Sequence, residues 1–231
     1  TVGIETTTGP LGAGFSNGIG MAIAERMLAD TFNTEEHTII DHYTYILSGD
    51  GCMMEGLTSE AASLAGHLQL GKCIAFYDFN KITIEGSTDL AFTEDVAARY
   101  KAYGWQVLES GAYDIDQITD CVEQAKAEKA KPSLIILRSE IGKGSPNMAG
   151  THQVHGAPLG EEEIRLTRKT LGIPEDKSFY VDPLAKEFFA GKQGKWKAQF
   201  EKWQETFSEW QEKNPELYSL WKKYFDSPIE I

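Results

Sequence analysis

The stretch that decides the fold is YTYILSGDG, residues 43–51. Its aromatic and β-branched residues are typical of a buried strand, and the glycines and aspartate at its end indicate a loop. Helical patterns of apolar residues lie on either side, at residues 14–32 and 57–70. The apolar face of the second helix is predicted to consist of Leu57, Ala61, Leu64, Ala65 and Leu68. A strand followed directly by a helix is therefore expected.

The same alternation of strand and helix continues along the chain. Strands are predicted at residues 73–80, 105–109 and 133–140, and helices at about residues 93–103 and 114–129. Near-continuous apolar strands separated by helices indicate a parallel sheet that is covered on both faces. We therefore expect an α/β fold with a doubly wound, mainly parallel sheet, which binds ligands at the carboxyl ends of its strands.

The pattern changes beyond residue 160, where no further strands are predicted. Helices are expected at residues 161–171 and 195–213, with a short one after Pro215. We interpret residues 1–160 as one domain and residues 161–231 as a helical C-terminal extension. The longer helix carries a seam of aromatic residues: Trp196, Phe200, Trp203, Phe207 and Trp210. This seam is expected to pack against the domain or a partner chain rather than to bind a ligand.

Charge and composition exclude several classes of partner. With 22 basic and 35 acidic residues, the net charge is −13, which repels nucleic acid and anionic lipid. No apolar run approaches the roughly 20 residues that cross a bilayer, so no membrane association is expected. Cys52, Cys73 and Cys121 show no CxxC spacing, which favours reduced thiols and a cytoplasmic location over disulfides or zinc.

The beginning of the chain is unusual for a domain of this kind. It starts at Thr1, without methionine, and enters a glycine-rich segment that no strand precedes. We therefore expect the N-terminal portion of the domain to be missing. A GxGxxxG pattern at Gly12, Gly14 and Gly18 does not have the spacing of a dinucleotide loop, so a nicotinamide cofactor is not expected.

Oxygen-bearing side chains end two of the predicted strands, Asp50 in SGDG and Asn80 in YDFN. If these strands are neighbours, both side chains lie at the same edge of the sheet. A carboxylate and a carboxamide, with a main-chain carbonyl, form a hard-oxygen set suited to Mg²⁺ or Ca²⁺. A diphosphate could complete the coordination, and Gly49 and Gly51 would let the backbone approach it closely. Taken alone, however, GDG is a weak signal, because an aspartate flanked by glycines is more commonly just a turn.

Five segments, taken in order, resemble the transketolase family. They are TTGPLGAGFSNGIGMAIAE (7–25), GDGCMMEGLTSEAASLAGHL (49–68), NKITIEG (80–86), DVAARYKAYGW (95–105) and THQVHGAPLG (151–160). The resemblance is to the diphosphate-binding domain and the linker after it. It implies a thiamine-diphosphate-binding fold with thiamine diphosphate and Mg²⁺ or Ca²⁺ as cofactors. It further implies transfer of a two-carbon ketol unit from a ketose phosphate to an aldose phosphate, by a homodimer in the full-length enzyme.

The resemblance also implies ligands for the metal and the diphosphate. Asp50, Asn80 and the main-chain carbonyl of Ile82 match the metal ligands of the family. Gly51 and Asn80 match residues that contact the diphosphate. Phe79 lies where relatives carry a small or polar residue, and we expect it to pack beside the site.

Further residues match the segments that surround the rest of the cofactor. Gly9, Pro10 and Leu11 match the segment that lines the aminopyrimidine side. His155 matches a histidine that touches both diphosphate and substrate, which implies a catalytic role in moving a substrate proton. His152 and His155 also form an HxxH pattern, but no third zinc ligand is evident.

Glu55 and Glu60 match acidic residues that lie where two subunits of the family meet. The alternative for both is simpler, because a glutamate near a helix N-terminus is stabilised by the helix dipole without any partner subunit.

Two other functions remain as alternatives. The first is a related enzyme with the same domain, such as dihydroxyacetone synthase or deoxyxylulose-phosphate synthase. HGAPLG and NKITIEG favour transketolase over the latter. The second alternative is a non-catalytic binding or assembly module. The intact Asp50, Asn80 and His155 argue against it. In the family a second domain supplies a glutamate that activates the cofactor, and we expect this sequence, which ends at Ile231, to lack that domain. We therefore expect little or no turnover by this chain alone.

Overall fold

The computed structural model describes residues 3–226. These residues form two compact units, the first built from residues 3–23 and 43–177 and the second from residues 24–42 and 178–226. Within this described part of the chain, no helix is both long and apolar enough to span a bilayer.

Strands and helices alternate through the first unit, and helices make up most of the second. The helices are α1 (Ala13–Phe32), α2 (Asp50–Met54), α3 (Gly56–His67), α4 (Val96–Ala102), α5 (Ile115–Ala127), α6 (Glu161–Leu171), α7 (Pro183–Lys213) and α8 (Pro215–Phe225). The strands are β1 (Thr44–Gly49), β2 (Cys73–Phe79), β3 (Ile82–Thr83), β4 (Gly86–Ser87), β5 (Gln106–Gly111) and β6 (Ser133–Arg138).

The first unit is built on a parallel sheet with the strand order β1-β2-β6-β5. In its register, Gly49 of β1 lies beside Asp78 of β2, and Phe79 of β2 lies beside Arg138 of β6. The loop after β2 contains the small antiparallel ladder of β3 and β4. All carboxyl ends of the main strands therefore lie at one edge, and the predicted α/β fold with a mainly parallel sheet is confirmed.

Helices cover both faces of this sheet, as predicted. On one face, residues of α1, α3 and α4 pack against the strands in a buried cluster that includes Phe15, Ile46, Ala62, Ala75 and Tyr100. On the other face, α5 packs against the strands in a cluster of Ile74, Cys121, Ala125 and Ile135. The sheet is thus the middle layer of three.

The predicted apolar face of α3 is wrong in part, because its two large leucines are not buried. Leu57 and Leu64 are 47% and 46% exposed. The buried face consists of Thr58, Ala62 and Ala65. The reason is close packing: a Cβ atom at Gly66 would lie 1.8 Å from the main-chain oxygen of Tyr103, so α3 turns its small residues inward.

The long aromatic helix begins at Pro183 and not at residue 195, so the predicted start was wrong. Asp182 caps it, with its carboxylate accepting a hydrogen bond from the Leu184 N–H at 2.8 Å. Proline at the first helical position is also favourable. Gly191 and Gly194 lower helix propensity by about 1 kcal/mol each, which hid this part of the helix in the sequence.

The core of the second unit uses only the C-terminal part of the predicted aromatic seam. Trp210 is fully buried, and its Nε1–H donates to the main-chain oxygen of Phe32 at 2.8 Å. The Nε1–H of Trp203 donates to the main-chain oxygen of Ile39 at 3.0 Å. Trp196, in contrast, is 49% exposed. Near its C-terminal end, the seam therefore packs against the last residues of α1 and the segment that follows them.

The helix α6 lies in the first unit rather than with the helices that follow it. Glu163 of α6 is buried and accepts hydrogen bonds from the main-chain N–H and the side-chain NH₂ of Asn147, at 3.0 and 2.8 Å. The first compact unit consequently extends past residue 160. Whether residues 1–160 and 161–231 are separate domains stays a prediction.

The packing of α1 on β1 gives a matched pair of substitutions. A Cβ atom at Gly18 would lie 2.4 Å from Cγ1 of Ile46, whereas nothing lies within 4 Å of a Cβ atom at Gly20. Gly18→Ala should lower the free energy of unfolding by about 1–3 kcal/mol through overpacking. Gly20→Ala should raise it by about 0.5–1 kcal/mol, because alanine loses less backbone entropy in a helix. Chemical denaturation measures both, and equal effects would contradict the close approach of α1 to β1.

Candidate metal and cofactor site

The carboxylate of Asp50 lies at the carboxyl end of the sheet, where β1 ends and α2 begins. Asp50 is only 2% exposed. Oδ1 accepts a hydrogen bond from the hydroxyl of Tyr77 at 2.6 Å. Oδ2 accepts from the main-chain N–H groups of Asn80 and Lys81 at 3.0 and 2.8 Å. The structure thus brings Asp50 and Asn80 together, as the sequence predicted, while their role as metal ligands stays a prediction.

Burial and hydrogen bonding shift the pKa of the Asp50 carboxyl in opposite directions. Burial raises its pKa above the usual value, and the hydrogen bonds from Tyr77, Asn80 and Lys81 lower it in part. The negative charge of Asp78 raises it further. The pKa of Tyr77 is also raised, first by burial and then by its bond to Asp50, so the hydroxyl remains a donor at neutral pH. A nearby cation would favour the ionised form of this carboxyl group.

Asn80 opens a tight turn that also contains the third predicted ligand. Its Oδ1 accepts a hydrogen bond from the N–H of Ile82 at 2.9 Å, and its Nδ2 donates to Oδ2 of Asp78 at 3.3 Å. Between them, Lys81 has a φ of 62°. This is the left-handed region, which residues other than glycine adopt mainly in tight turns. Asn80 and Ile82 are consequently held in one turn that is anchored on Asp50.

Lone pairs show which oxygens could bind a metal. Each carboxylate oxygen has about two acceptor positions. Oδ2 of Asp50 uses both on N–H groups, whereas Oδ1 uses one, on Tyr77. The carboxamide oxygen of Asn80 likewise uses one, on Ile82. One position therefore remains on Oδ1 of each side chain, and the donor set fits a hard divalent cation.

The glycine-rich segment before α1 adjoins this site through Gly51. A Cβ atom at Gly51 would lie 3.2 Å from Cδ1 of Leu11, so the leucine packs beside this glycine. Gly12 has a φ of 78°, and a Cβ atom there would lie 3.0 Å from Cβ of Glu55. The segment that was matched to the aminopyrimidine side, with Gly9 and Leu11 exposed, therefore lies next to the glycine that was matched to the diphosphate.

His155 lies in the long loop between β6 and α6. It follows a short 3-10 helix, His152–Val154, and its N–H donates to the main-chain oxygen of His152 at 3.0 Å. The side chain is exposed. Within residues 3–226, no hydrogen bond joins it to Asp50 or Asn80, so the structure does not bring the predicted catalytic residue into contact with the predicted ligands.

The remaining predicted residues have different environments. The ring of Phe79 lies 5.4 Å from that of Tyr77, which confirms that it packs beside the site. Phe79 also packs against the apolar core, and the guanidinium of Arg138 lies 5.4 Å from the centre of its ring. Glu55 precedes α3 as its N-cap residue, and Glu60 is exposed on that helix. Their predicted place between two subunits stays a prediction.

Sequence reasoning missed three residues that hold the site. Tyr77 and Asp78 bind the side chains of Asp50 and Asn80 directly. Arg99 of α4 donates to the main-chain oxygen of Met53 at 2.7 Å and to the hydroxyl of Ser59 at 2.6 Å, which fixes the junction of α2 and α3. Only the position of Tyr77 and Asp78, three and two residues before the candidate ligand Asn80, could have indicated the first two.

Comparison with known proteins identifies the relatives of this arrangement. The family described as "Transketolase, thiamine diphosphate binding domain" matches residues 1–228. The transketolase of Treponema pallidum is 56% identical over 183 residues, which cover 79% of this chain and 28% of that protein. Transketolase 1 of Escherichia coli is 51% identical over 208 residues, covering 87% of this chain and 31% of that protein.

Solved structures give the same result at the level of the fold. A transketolase from Pichia stipitis, in complex with sedoheptulose-7-phosphate, is similar with a TM-score of 0.92 and 45% identity. The similarity covers 97% of this chain and 33% of that one. The chain therefore spans about a third, or less, of the length of these relatives.

The loop that carries His155 is held to α6 by Glu163, and the stability that this contact contributes should depend on pH. Hydrogen bonds from Ser145 and Asn147 hold the pKa of Glu163 below its usual value of 4.5. A carboxyl group whose pKa is lower in the folded protein stabilises the fold at pH values above its pKa in the unfolded chain. This contribution is lost as the pH falls through its pKa in the folded protein. The difference in free energy of unfolding between the wild type and Glu163→Gln should therefore be largest near neutral pH and shrink below pH 4.5.

Denaturation curves at several pH values measure this difference. Glu161→Gln, an exposed neighbour in the same helical turn, is the matched control and should show a smaller pH dependence. A difference for Glu163→Gln that is constant across the acidic range would contradict the assigned role of Glu163.

Proposed function

The chain belongs to the transketolase family, and we propose that it binds the diphosphate of thiamine diphosphate through a divalent metal ion at Asp50, Asn80 and Ile82. We infer the cofactor from the family, since its matching domain is described as thiamine diphosphate binding. The relatives named above are transketolases, which favours this family over the related enzymes considered from the sequence.

The observation that carries the proposal is the set of bonds between Asp50 and the turn after β2. Asp50 holds the main chain of Asn80 and Lys81, so the carboxylate and the carboxamide cannot move apart without breaking bonds to a buried group. Oδ1 of Asp50, Oδ1 of Asn80 and the main-chain oxygen of Ile82 would be the protein's ligands to Mg²⁺ or Ca²⁺. Gly51 and Asn80 would contact the diphosphate, and Gly9, Pro10 and Leu11 the aminopyrimidine side.

For the whole enzyme we propose transfer of a two-carbon ketol unit between sugar phosphates. The bound cofactor supplies the electron sink that this reaction requires. The chain's own residues would fix the diphosphate end, and His155 would exchange a proton with a substrate hydroxyl. Its exposed side chain leaves the imidazole accessible to a substrate. Sugar phosphates as substrates agree with the sedoheptulose-7-phosphate complex of the Pichia stipitis relative.

We also propose that the enzyme is a homodimer and that α3 contributes to its interface. The exposed Leu57 and Leu64 offer apolar surface beside Glu60, which suits burial against a second chain. A cytoplasmic location is proposed because Cys52, Cys73 and Cys121 are all free thiols.

Calorimetric titration of this 231-residue chain with thiamine diphosphate tests the proposal. Binding should be at least about 10-fold tighter with Mg²⁺ than with a chelator, a difference of about 1.4 kcal/mol, because Asp50, Asn80 and Ile82 would hold the ion beside the diphosphate. Asp50→Ala should abolish the dependence on Mg²⁺. The control is Asp120→Ala, which removes the same charge from an exposed position of α5.

Circular dichroism of each variant shows whether the fold is retained. Equal binding by the wild type and Asp50→Ala, independent of Mg²⁺, would contradict the metal bridge. Because the chain spans 28% to 31% of the curated relatives, cofactor binding is the part of the proposal that it can test by itself.

A further inference from the structure

We infer that Asp78 is a positioning residue that turns the carboxamide of Asn80 so that its oxygen, and not its NH₂ group, faces the candidate metal site. The inference rests on the proposed function, because it concerns Asn80 as a metal ligand. It assigns a role to Asp78 that is distinct from binding the metal, since Asp78 would act only through Asn80.

The two ends of the Asn80 carboxamide have partners of opposite kind. Oδ1 accepts from the N–H of Ile82, and Nδ2 donates to Oδ2 of Asp78. A carboxylate only accepts hydrogen bonds and a main-chain N–H only donates. A carboxamide turned by half a rotation would therefore place oxygen against oxygen at Asp78 and N–H against N–H at Ile82. Both bonds would be lost, so the two partners together select one orientation.

Asp78 is itself held in place by the neighbouring strand. Its Oδ1 accepts a hydrogen bond from the hydroxyl of Ser139, the first residue after β6. The N–H of Ser139 donates to the main-chain oxygen of Phe79 at 3.1 Å, which continues the pairing of β6 with β2. One oxygen of Asp78 is thus anchored to β6, and the other is directed to Asn80.

The last residues of β2 therefore serve both candidate ligands. Side chains alternate along a strand, so Tyr77 and Asp78 point to opposite faces of the sheet. Tyr77 donates to Oδ1 of Asp50 on one face, and Asp78 accepts from Asn80 on the other. Orientation matters at Asn80 because Mg²⁺ and Ca²⁺ bind oxygen, and an inverted carboxamide would present hydrogen atoms to the cation.

A different explanation would be that Asp78 attracts the cation by its charge alone. Both explanations predict weaker metal binding for Asp78→Ala, but they differ for Asp78→Asn. The side-chain oxygen of an asparagine can still accept from Nδ2 of Asn80, and its NH₂ group can donate to the hydroxyl oxygen of Ser139. Orientation is then retained although the charge is lost.

The experiment is a calorimetric titration of Mg²⁺ into the chain with thiamine diphosphate present. Asp78→Ala should weaken Mg²⁺ binding by about 10-fold or more, the usual effect of removing a residue that orients a ligand. Asp78→Asn should stay closer to the wild type than to Asp78→Ala. Asp120→Ala, with the same change in charge on α5, should bind as the wild type does.

The Asn80→Asp background provides a second and independent measurement. Both ends of this side chain are oxygen, so its orientation no longer matters. Removing Asp78 in this background should therefore weaken Mg²⁺ binding less than in the wild type, because only the attraction of its charge for the cation is lost. Equal losses for Asp78→Ala and Asp78→Asn, or the same loss in the Asn80→Asp background, would overturn the inference.

The same titrations separate this inference from the proposed function. If the wild type binds thiamine diphosphate without any dependence on Mg²⁺, the metal site itself is wrong and the inference is overturned with it. If the wild type depends on Mg²⁺ but Asp78→Ala binds the ion equally well, only the positioning role is overturned.

Discussion

The hydrogen bonds to the buried carboxylate of Asp50 are the interaction on which the candidate site depends. They join the end of β1 to Tyr77 in β2 and to the turn that begins at Asn80. Hydrogen bonds to charged groups stabilise by about 1.5–3 kcal/mol each, which offsets the cost of burying this carboxylate. A conformation in which Asn80 moves away would leave Oδ2 of Asp50 buried without these hydrogen bonds, so the geometry of the site is linked to the stability of the fold.

The packing around α2 keeps this carboxylate at the sheet edge. Arg99 and Tyr100 of α4 reach Met53, the fourth residue of α2, through its main-chain oxygen and its sulfur. Gly12 and Gly66 permit α3 to approach its neighbours closely, which a larger residue would prevent. The function proposed for the site therefore rests on packing by residues that would themselves touch neither metal nor cofactor.

The sequence predicted the sheet and the pairing of Asp50 with Asn80 for a simple reason. Apolar periodicity identifies strands, and the ends of neighbouring parallel strands meet at one edge. It could not predict Tyr77 and Asp78 as partners, because those bonds depend on the exact register of β1, β2 and β6. The register places Gly49 beside Asp78, and no local sequence pattern indicates this pairing.

Other differences have equally local causes. Leu57 and Leu64 were expected to be buried because they are large, but close packing favoured the small residues of α3. The start of α7 was placed too late because two glycines concealed a helix that a capping aspartate and Pro183 begin. His155 was assigned by resemblance, and the position of its loop depends on Glu163, which lies in a helix outside the predicted domain.

A crystal structure of the chain with thiamine diphosphate and Mn²⁺ would test the central claim most directly, because anomalous scattering locates the metal. The account predicts one ion bound to Oδ1 of Asp50, Oδ1 of Asn80 and the main-chain oxygen of Ile82. Oδ2 of Asp50 should retain its bonds to the N–H groups of Asn80 and Lys81. An ion held by other residues, or a diphosphate bound at Gly51 with no metal between it and Asp50, would contradict the account.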